Sequence, residues 1–357
     1  MHSCGQAKDS RGWWRLSPFF VWLSLFYISW LAVVSLGGHW EAVTDHWPIA
    51  LAMLMGSFVA GSTPMGGGTI GFPVLVLLFD HAPSMGRDFS FAVQSIGMTS
   101  ASIFILCRRL PVERTTLAWA LFGSTFGTPL GILLFAPLVL ESAVKLLFAV
   151  VWASFGVMTL YKLREISAAQ GIARASKRFD RLSGLVIGLV GGTFVASVTG
   201  VGVDMLIYTV LVLVRRADLR VAIPTSIIMM AYTSLVGVVV KSCTVGFDPG
   251  VFENWLAAAP VVALGAPLGV YIVHLVGRGR TLVFVALLCL LQFVWTFQQG
   301  WEDLGIPGLL WGLVGLLVFN AIFHYLYRLG TILAADGRPV ETWRVLAFFA
   351  PRDRKTG

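Results

Sequence analysis

Apolar runs long enough to cross a lipid bilayer recur along most of this chain, and they limit the folds open to it. A helix needs about 20 mostly apolar residues to span the hydrocarbon core. The composition agrees, since 57% of the 357 residues are hydrophobic and 12% are charged, whereas a soluble domain is about one quarter charged. We therefore predict an all-α polytopic membrane protein embedded in a lipid bilayer. The net charge of +8 then belongs to cytoplasmic loops, and no nucleic-acid partner is expected.

Eight of the runs have the length and composition of a single transmembrane helix. The first follows Lys8, Arg11 and Arg15, is longer than the apolar core of a typical signal peptide and ends without a clear small-x-small cleavage site. We interpret it as an uncleaved signal anchor, with a cleaved signal peptide as the alternative. The eight runs cover residues 18–36, 90–106, 117–135, 142–161, 221–240, 255–276, 282–297 and 308–327.

Two further apolar segments, residues 47–79 and 182–214, do not fit this template. As continuous helices each would be roughly 50 Å long, against a hydrocarbon core of roughly 30 Å. Each is also interrupted near its middle by glycine and polar residues, and the first contains the run TPMGGGTIGFPVL from Thr63 to Leu75. Such a segment is either one tilted, broken crossing or a re-entrant hairpin that returns to the face it entered.

The distribution of basic residues distinguishes the two readings, because Lys and Arg concentrate in cytoplasmic loops. The linker 162–181 is rich in Lys and Arg and is expected to be cytoplasmic. If both odd segments are hairpins, the cytoplasm also receives both termini and most other basic clusters, and only Arg87 and Lys241 lie outside. If both cross fully, several basic clusters move outside. The hairpin reading is therefore favoured, and it places a multi-pass protein in the cell membrane with cytoplasmic N- and C-termini. The clusters placed inside are Arg108, Arg109 and Arg114, then Arg215, Arg216 and Arg220, then Arg278 and Arg280.

Short matches in the same order suggest that the two halves of the chain are repeats. GTPLG at 127–131 resembles GAPLG at 265–269, FPVLVLL at 72–78 resembles YTVLVLV at 208–214, and FAVQSI at 91–96 resembles VAIPTSI at 221–227. If both interrupted segments are re-entrant hairpins, the two halves have opposite topology in the membrane. This pattern is typical of secondary transporters that bind substrate at the repeat interface.

We therefore predict two inverted repeats, each with one interrupted re-entrant helical hairpin and three spans, which gives about eight full transmembrane helices and two hairpins. The predicted units are a cytoplasmic N-terminus with an extra first helix (1–46), repeat 1 (47–161), a basic cytoplasmic linker (162–181), repeat 2 (182–298), and an extra last helix with a cytoplasmic tail (299–357).

The helix breaks are the candidate binding site. Non-helical backbone at membrane depth is tolerated only where it is buried in protein or lines a cavity, and free N–H groups at a restarting helix suit an anion. The alternative is that the glycines only permit close helix crossing and that Ser and Thr bond to their own helix. The candidate substrate-binding residues are Ser62, Thr63, Gly66, Gly67, Gly68 and Thr69 in the first break, Thr199, Gly200 and Gly202 in the second, and Gln94, Ser95, Thr225 and Ser226 on the spans that follow.

Asp204 follows the second break and is the one acidic residue well inside a predicted membrane segment. Intramembrane carboxylates are costly and tend to be functional. Its two open roles are proton coupling and capping of the half-helix that follows. No HExxH or GxSxG motif occurs, and the four cysteines lack metal-site spacing. We therefore expect no catalytic residue, no metal and no cofactor, and not an enzyme.

Three features resemble the TauE/SafE sulfite exporter family, also called TSUP permeases. They are the glycine triplet Gly66 to Gly68 followed by Pro73, the repeat of that segment after a basic linker, and the GxPLG element late in each half. The resemblance covers roughly residues 47–298. It implies a carrier of sulfite, sulfonates, sulfoacetate or a related small anion that works by alternating access, with coupling to protons left open. The second repeat has TGVGVDMLIYT where the family more often has a glycine-rich run followed by Pro, so the chain resembles a divergent member. An anion channel built from the two hairpins is the alternative, and a homodimer is left open.

Overall fold

The computed structural model describes residues 15–276, 278–335 and 340, and within them the protein is helical, with one isolated bridge between Ala175 and Val340. Nine helices in this part of the chain are long and apolar enough to cross a membrane, which confirms a polytopic membrane protein. The basic residues Lys8 and Arg11 and the terminal RDRKTG, used above to orient the chain, lie outside the described residues.

We number the helices in chain order. All eight predicted spans are helices, and both odd segments are broken near the predicted residues, so these predictions are confirmed. The helices are α1 Ser17–Leu36, the short α2 Trp40–Asp45, α3 Trp47–Ser62, α4 Gly68–Leu78, α5 Pro83–Cys107, α6 Arg114–Leu138, α7 Glu141–Ala168, α8 Lys177–Thr199, α9 Val203–Val214, α10 Leu219–Cys243, α11 Val251–Val276, α12 Arg278–Gln299 and α13 Trp301–Ala335.

The ninth candidate span is α8, the first arm of the second odd segment. It begins at Lys177, inside the predicted linker, and α7 continues to Ala168, so the non-helical part of that linker is shorter than the sequence suggested. Ser176 explains the early start, because its side chain accepts a hydrogen bond from the N–H of Phe179 and caps the helix.

Each odd segment folds back on itself. In the first, Ile49 near the start of α3 and Leu75 near the end of α4 belong to one buried cluster. In the second, Arg215 after α9 forms an ion pair with Asp180 in the first turn of α8, and its Nε donates to the Ala173 carbonyl at 2.9 Å. Both segments therefore return to the end at which they began, as hairpins do.

The hairpins open at opposite ends of the antiparallel pair α5 and α10. Lys241 Nζ, in the last turn of α10, lies 2.8 Å from Asp88 Oδ2 near the start of α5. At the other end, the Glu113 N–H after α5 donates to Thr225 Oγ1 near the start of α10 at 3.0 Å. Since α4 leads into α5 and α9 leads into α10, this geometry supports opposite topology of the halves. Which end is cytoplasmic stays a prediction from the charges.

Matching backbone irregularities fix the register between the halves. The π-helical turns Val74–Leu78 and Val210–Val214 are followed by Asp80 and Arg216, both with positive φ, and α5 and α10 have 25 residues each. In this register Ser226 corresponds to Ser90, and the matching of FAVQSI with VAIPTSI is out of register. Short Ser-containing motifs recur in membrane helices, so that match had little weight.

Glycines allow the first arm of each hairpin to cross the late helix of the other half in close contact. A Cβ atom on Gly61 of α3 would lie 1.9 Å from the Ala266 carbonyl oxygen of α11, and one on Gly188 of α8 would lie 2.0 Å from the Ala120 carbonyl oxygen of α6. Gly127 and Gly265, which begin the two GxPLG elements, lie in the same crossings. Small residues at such crossings are the usual route to close helix packing in membranes.

Candidate functional site at the helix breaks

The two helix breaks meet at the centre of the protein, against one side of α5. A Cβ atom on Gly68 would lie 2.4 Å from Val201 Cγ1 and 2.7 Å from Ser90 Oγ, and one on Gly200 would lie 2.4 Å from the Arg87 carbonyl oxygen. The residues that separate the arms of the two hairpins are therefore in direct contact, although they are far apart in sequence.

Left-handed backbone at both breaks explains why glycine is found there. Gly66 has a φ of 64°, Gly200 of 75° and Gly202 of 102°. This region is strained for any residue with a Cβ atom and free of strain for glycine. Glycine also lets the two loops approach α5 closely enough for its side chains to bond with their backbones.

Gln94 of α5 joins the site to the second break. Its Nε2 donates to the Ser90 carbonyl at 3.1 Å and to the Gly200 carbonyl at 3.3 Å. These two acceptors fix the orientation of the amide, because a flipped amide would set its oxygen against two carbonyl oxygens. Gln94 Oε1 is buried without a hydrogen-bond partner and would lie 2.4 Å from a Cβ atom on Gly66.

Asp204 also lies close to Gly66. Its Oδ1 accepts the N–H groups of Gly202 at 3.0 Å and Met205 at 3.1 Å, so one oxygen does satisfy the start of α9. Its Oδ2 has no hydrogen-bond partner, although the residue is fully buried, and would lie 3.2 Å from a Cβ atom on Gly66. Two buried acceptors without donors, Gln94 Oε1 and Asp204 Oδ2, thus face the same glycine. Each such group normally has a partner.

Backbone donors and a small cavity lie beside these oxygens. The N–H groups of Gly67 and Gly68 have no acceptor among the described residues. A cavity of about 10 Å³ touches Gly67, Gln94 and Ser57, which is room for roughly one water molecule. The site is therefore closed in this conformation, and a larger anion can enter only if the breaks separate.

Trp152 of α7 forms a wall of the site that sequence reasoning missed. Its Nε1 donates to Thr69 Oγ1 at 2.8 Å, its ring stacks on Phe148 with 4.0 Å between centroids, and it would contact a Cβ atom on Gly202 at 3.2 Å. No sequence signal indicated it, because tryptophan is frequent in this chain and no spacing relates residue 152 to either break.

The remaining predicted hydroxyl residues bond mainly to their own helices or turns, which is the structural role left open above. Thr225 lies near the start of α10, where its Oγ1 accepts the Glu113 N–H, and among the described residues it makes no hydrogen bond to either break. Ser62 and Thr63 donate to Val59, Ser95 to Ala92, Ser226 to Ile223, and Thr199 within its own turn. The predicted residues that the structure brings together are Gly66, Gly67, Gly68, Thr69, Gln94, Thr199, Gly200, Gly202 and Asp204.

A buried charge cluster next to the second break was also missed. Asp88 is fully buried in α5 and accepts from Arg87 Nε at 2.9 Å and from Lys241 Nζ at 2.8 Å. Asp204 was predicted to be the one acidic residue well inside a membrane segment. Asp88 is a second acidic residue within a span, in the second turn of α5, because that helix begins at Pro83 and not near residue 90. The Pro at the first helical turn was the signal that could have located this start. Within the described residues, no group of three or more metal-ligating side chains occurs.

Comparison with known proteins gives one match. A family model described as sulfite exporter TauE/SafE matches residues 48–295, more than two thirds of the chain. No curated protein and no solved structure matches the chain significantly. The matched range begins at α3 and ends in α12, so it includes both hairpins and both GxPLG elements and leaves out α1 and α13.

Proposed function

Because the chain belongs to the TauE/SafE sulfite exporter family, whose members are membrane transporters of sulfur anions such as sulfite, we propose that it is a secondary transporter that moves sulfite or a small organosulfonate across the cell membrane by alternating access. The observation that carries the proposal is the contact between the two helix breaks around Gly66, with unpaired backbone N–H groups on one side. Substrate sites of secondary transporters lie where broken helices of two repeats meet.

The chemistry of the site suits a small anion of low charge. The N–H groups of Gly67 and Gly68 can donate to sulfonate or sulfite oxygens, and the start of α4 adds a partial positive charge. Arg87, whose backbone adjoins Gly200, pairs through its side chain with Asp88, which also pairs with Lys241. Binding by backbone donors alone favours an anion that gives up its water readily.

We further propose that a proton is the coupling ion and that Asp204 carries it. Protonation at Oδ2 would turn one of the two unpaired acceptors near Gly66 into a donor, and Gln94 Oε1 is the acceptor that we propose for it. Oδ1 would keep its two backbone donors throughout. The capping and the coupling roles are then compatible, because they use different oxygens of one side chain.

Sulfite uptake into proteoliposomes tests the transport function. We expect the flux to saturate with sulfite concentration, because the carrier must close around each anion. Short sulfonates should inhibit it by competing for the site, and a pH gradient should accelerate it if a proton is the coupling ion. A conductance that rises without saturation and ignores the gradient would instead support an anion channel. If neither sulfite nor a sulfonate moves or competes, the substrate assignment is wrong.

Asp204→Asn tests the coupling role. The asparagine keeps an acceptor for the N–H groups of Gly202 and Met205 and can donate to Gln94 Oε1 as the protonated acid would. We expect gradient-driven sulfite flux to fall by about tenfold or more, a typical size for lost coupling between two ligands, while counterflow at equal pH persists. Asp218→Asn is the matched control, because Asp218 caps α10 outside the site. A variant with an unchanged pH profile would leave Asp204 with the capping role alone.

A further inference from the structure

An apolar groove opens on the membrane side of the protein between α7, α9 and α13. Its volume is about 440 Å³, and it is lined by Leu147 and Val151 of α7, Met205 and Leu206 of α9, and Phe319 and Phe323 of α13. Away from the end predicted to be cytoplasmic, it continues along the start of α7 to the end of α6 and to α8, where Ala143, Phe135 and Phe194 line it. Thr209 is its one polar side chain, and Gly202 of the second break forms part of its inner wall. Such a lining cannot hold a small anion, but it matches the chemistry of an acyl chain.

A cationic cluster lies at the end of the same three helices that is predicted to be cytoplasmic. Lys162 of α7 has its Nζ 4.2 Å from the ring centroid of Tyr327 of α13, and the guanidinium of Arg216, just after α9, lies 5.1 Å from the same centroid. Lys162 also pairs with Glu165 at 3.2 Å. The two cations thus have one paired carboxylate between them, that of Glu165 on Lys162, which leaves a net positive charge.

Arg216 carries an unmet hydrogen bond in this cluster. Its Nη1 is buried and has no acceptor among the described residues. A guanidinium normally directs its N–H groups at carboxylate or phosphate oxygens, and a buried donor without an acceptor is costly. The unpaired Nη1 therefore points to an anion that the described residues do not supply.

The cluster and the groove are aligned along α13. Phe319, Phe323 and Tyr327 are spaced at four residues, so they lie on one face of the helix. From Tyr327 to Phe319 the helix rises about 12 Å, from the interface toward the middle of the membrane. An anionic lipid has the matching arrangement, since its charged headgroup lies at the interface and its acyl chains extend toward the middle of the membrane.

We propose that this seam binds an anionic phospholipid of the cytoplasmic leaflet, with its phosphate at Arg216 and Lys162 and one acyl chain in the groove. Basic pockets between transmembrane helices on the cytoplasmic side are suited to such headgroups. The acyl chain would lie against Met205 and Gly202, so the bound lipid contacts the second helix break directly. Lipid composition would then influence how readily that break moves.

The experiment measures lipid binding to the purified full-length protein by native mass spectrometry and by the shift in melting temperature on adding lipid. Phosphatidylglycerol is compared with phosphatidylcholine and with inorganic phosphate. Arg216→Gln removes the unpaired cation, and Leu147→Trp fills the groove. Arg220→Gln is the matched control, because Arg220 is exposed in the first turn of α10 and is not among the residues of the cluster or the groove.

We expect phosphatidylglycerol to bind more tightly than phosphatidylcholine and to raise the melting temperature. Arg216→Gln should weaken its binding roughly fivefold, the effect of one basic residue at an anionic membrane surface, and Leu147→Trp should weaken both lipids. Arg220→Gln should change neither.

Three results would overturn the proposal. Equal binding of the two lipids to the unmodified protein would exclude headgroup recognition, whatever the variants do. A full thermal shift with inorganic phosphate alone would indicate a simple anion site. A Leu147→Trp protein that changes oligomeric state but binds lipid normally would assign the groove to a second copy of the chain. None of these readouts depends on sulfite transport.

Discussion

Gly66→Ala is expected to abolish sulfite transport while the protein still inserts and folds. The added methyl group would lie 2.4 Å from Gln94 Oε1 and 3.2 Å from Asp204 Oδ2, in close contact with both unpaired oxygens. It would also place a side chain at a φ of 64°, which costs about 1–2 kcal/mol. Gln94 would have to move and give up its bond to the Gly200 carbonyl, so the two breaks would lose their connection. Flux in proteoliposomes at equal protein density measures the effect.

Gly246→Ala separates the two causes. Gly246 has a φ of 76° in a loop outside the site, and nothing lies within 4 Å of its added methyl group. It therefore suffers the same backbone strain without the contact, and we expect normal flux. If Gly66→Ala transports as well as Gly246→Ala, the contact at Gly66 has no part in transport and the site is misplaced.

Gly61→Ala is expected to reduce the stability of the protein strongly, although it lies outside the site. Its methyl group would lie 1.9 Å from the carbonyl oxygen of Ala266, which belongs to the backbone of α11 and cannot rotate away. The two helices would have to separate along the crossing that joins the halves. We expect the free energy of unfolding in detergent to fall by about 3 kcal/mol, the upper part of the usual range for overpacking.

The equivalent crossing provides a test of the repeat as well as a control. Gly188→Ala would place a methyl group 2.0 Å from the Ala120 carbonyl oxygen, so a similar loss of stability is expected. Gly279→Ala in α12 would meet Ser167 Oγ at an ordinary 3.6 Å and should be neutral or mildly stabilising, since alanine favours helix. Equal stability of Gly61→Ala and Gly279→Ala would contradict the close crossing.

Much of the architecture could be predicted because it depends on local composition. Hydropathy located every ordinary span, and glycine and proline located both breaks, because membrane helices have few ways to satisfy their backbone other than by staying regular. The basic residues also pointed to hairpins, in agreement with the contact between Arg215 and Asp180.

The composition of the site could be predicted only in part, because it depends on contacts between residues distant in sequence. Gln94 was singled out for its position near the start of a span, yet its bond to Gly200 joins the two halves and leaves no local trace. Ser95 and Thr225 also lie near the start of a predicted span, as Gln94 does. Ser95 nevertheless bonds within its own helix, and Thr225 bonds to Glu113 in a distant loop. Asp88 was missed because a paired, buried charge reads in sequence like the end of a span.

The first arm of each hairpin packs against a helix of the other half, α3 against α11 and α8 against α6. These contacts also constrain the order of assembly during synthesis. When the first half has entered the membrane, the partner of α3 has not yet been made, and the small residues along α3 face lipid or a chaperone until α11 arrives some 200 residues later. Neither half can complete its own packing from its own segments. Each half therefore depends on the other for its packing. During synthesis, the glycines of α3 wait longest for the helix against which they pack in the folded protein.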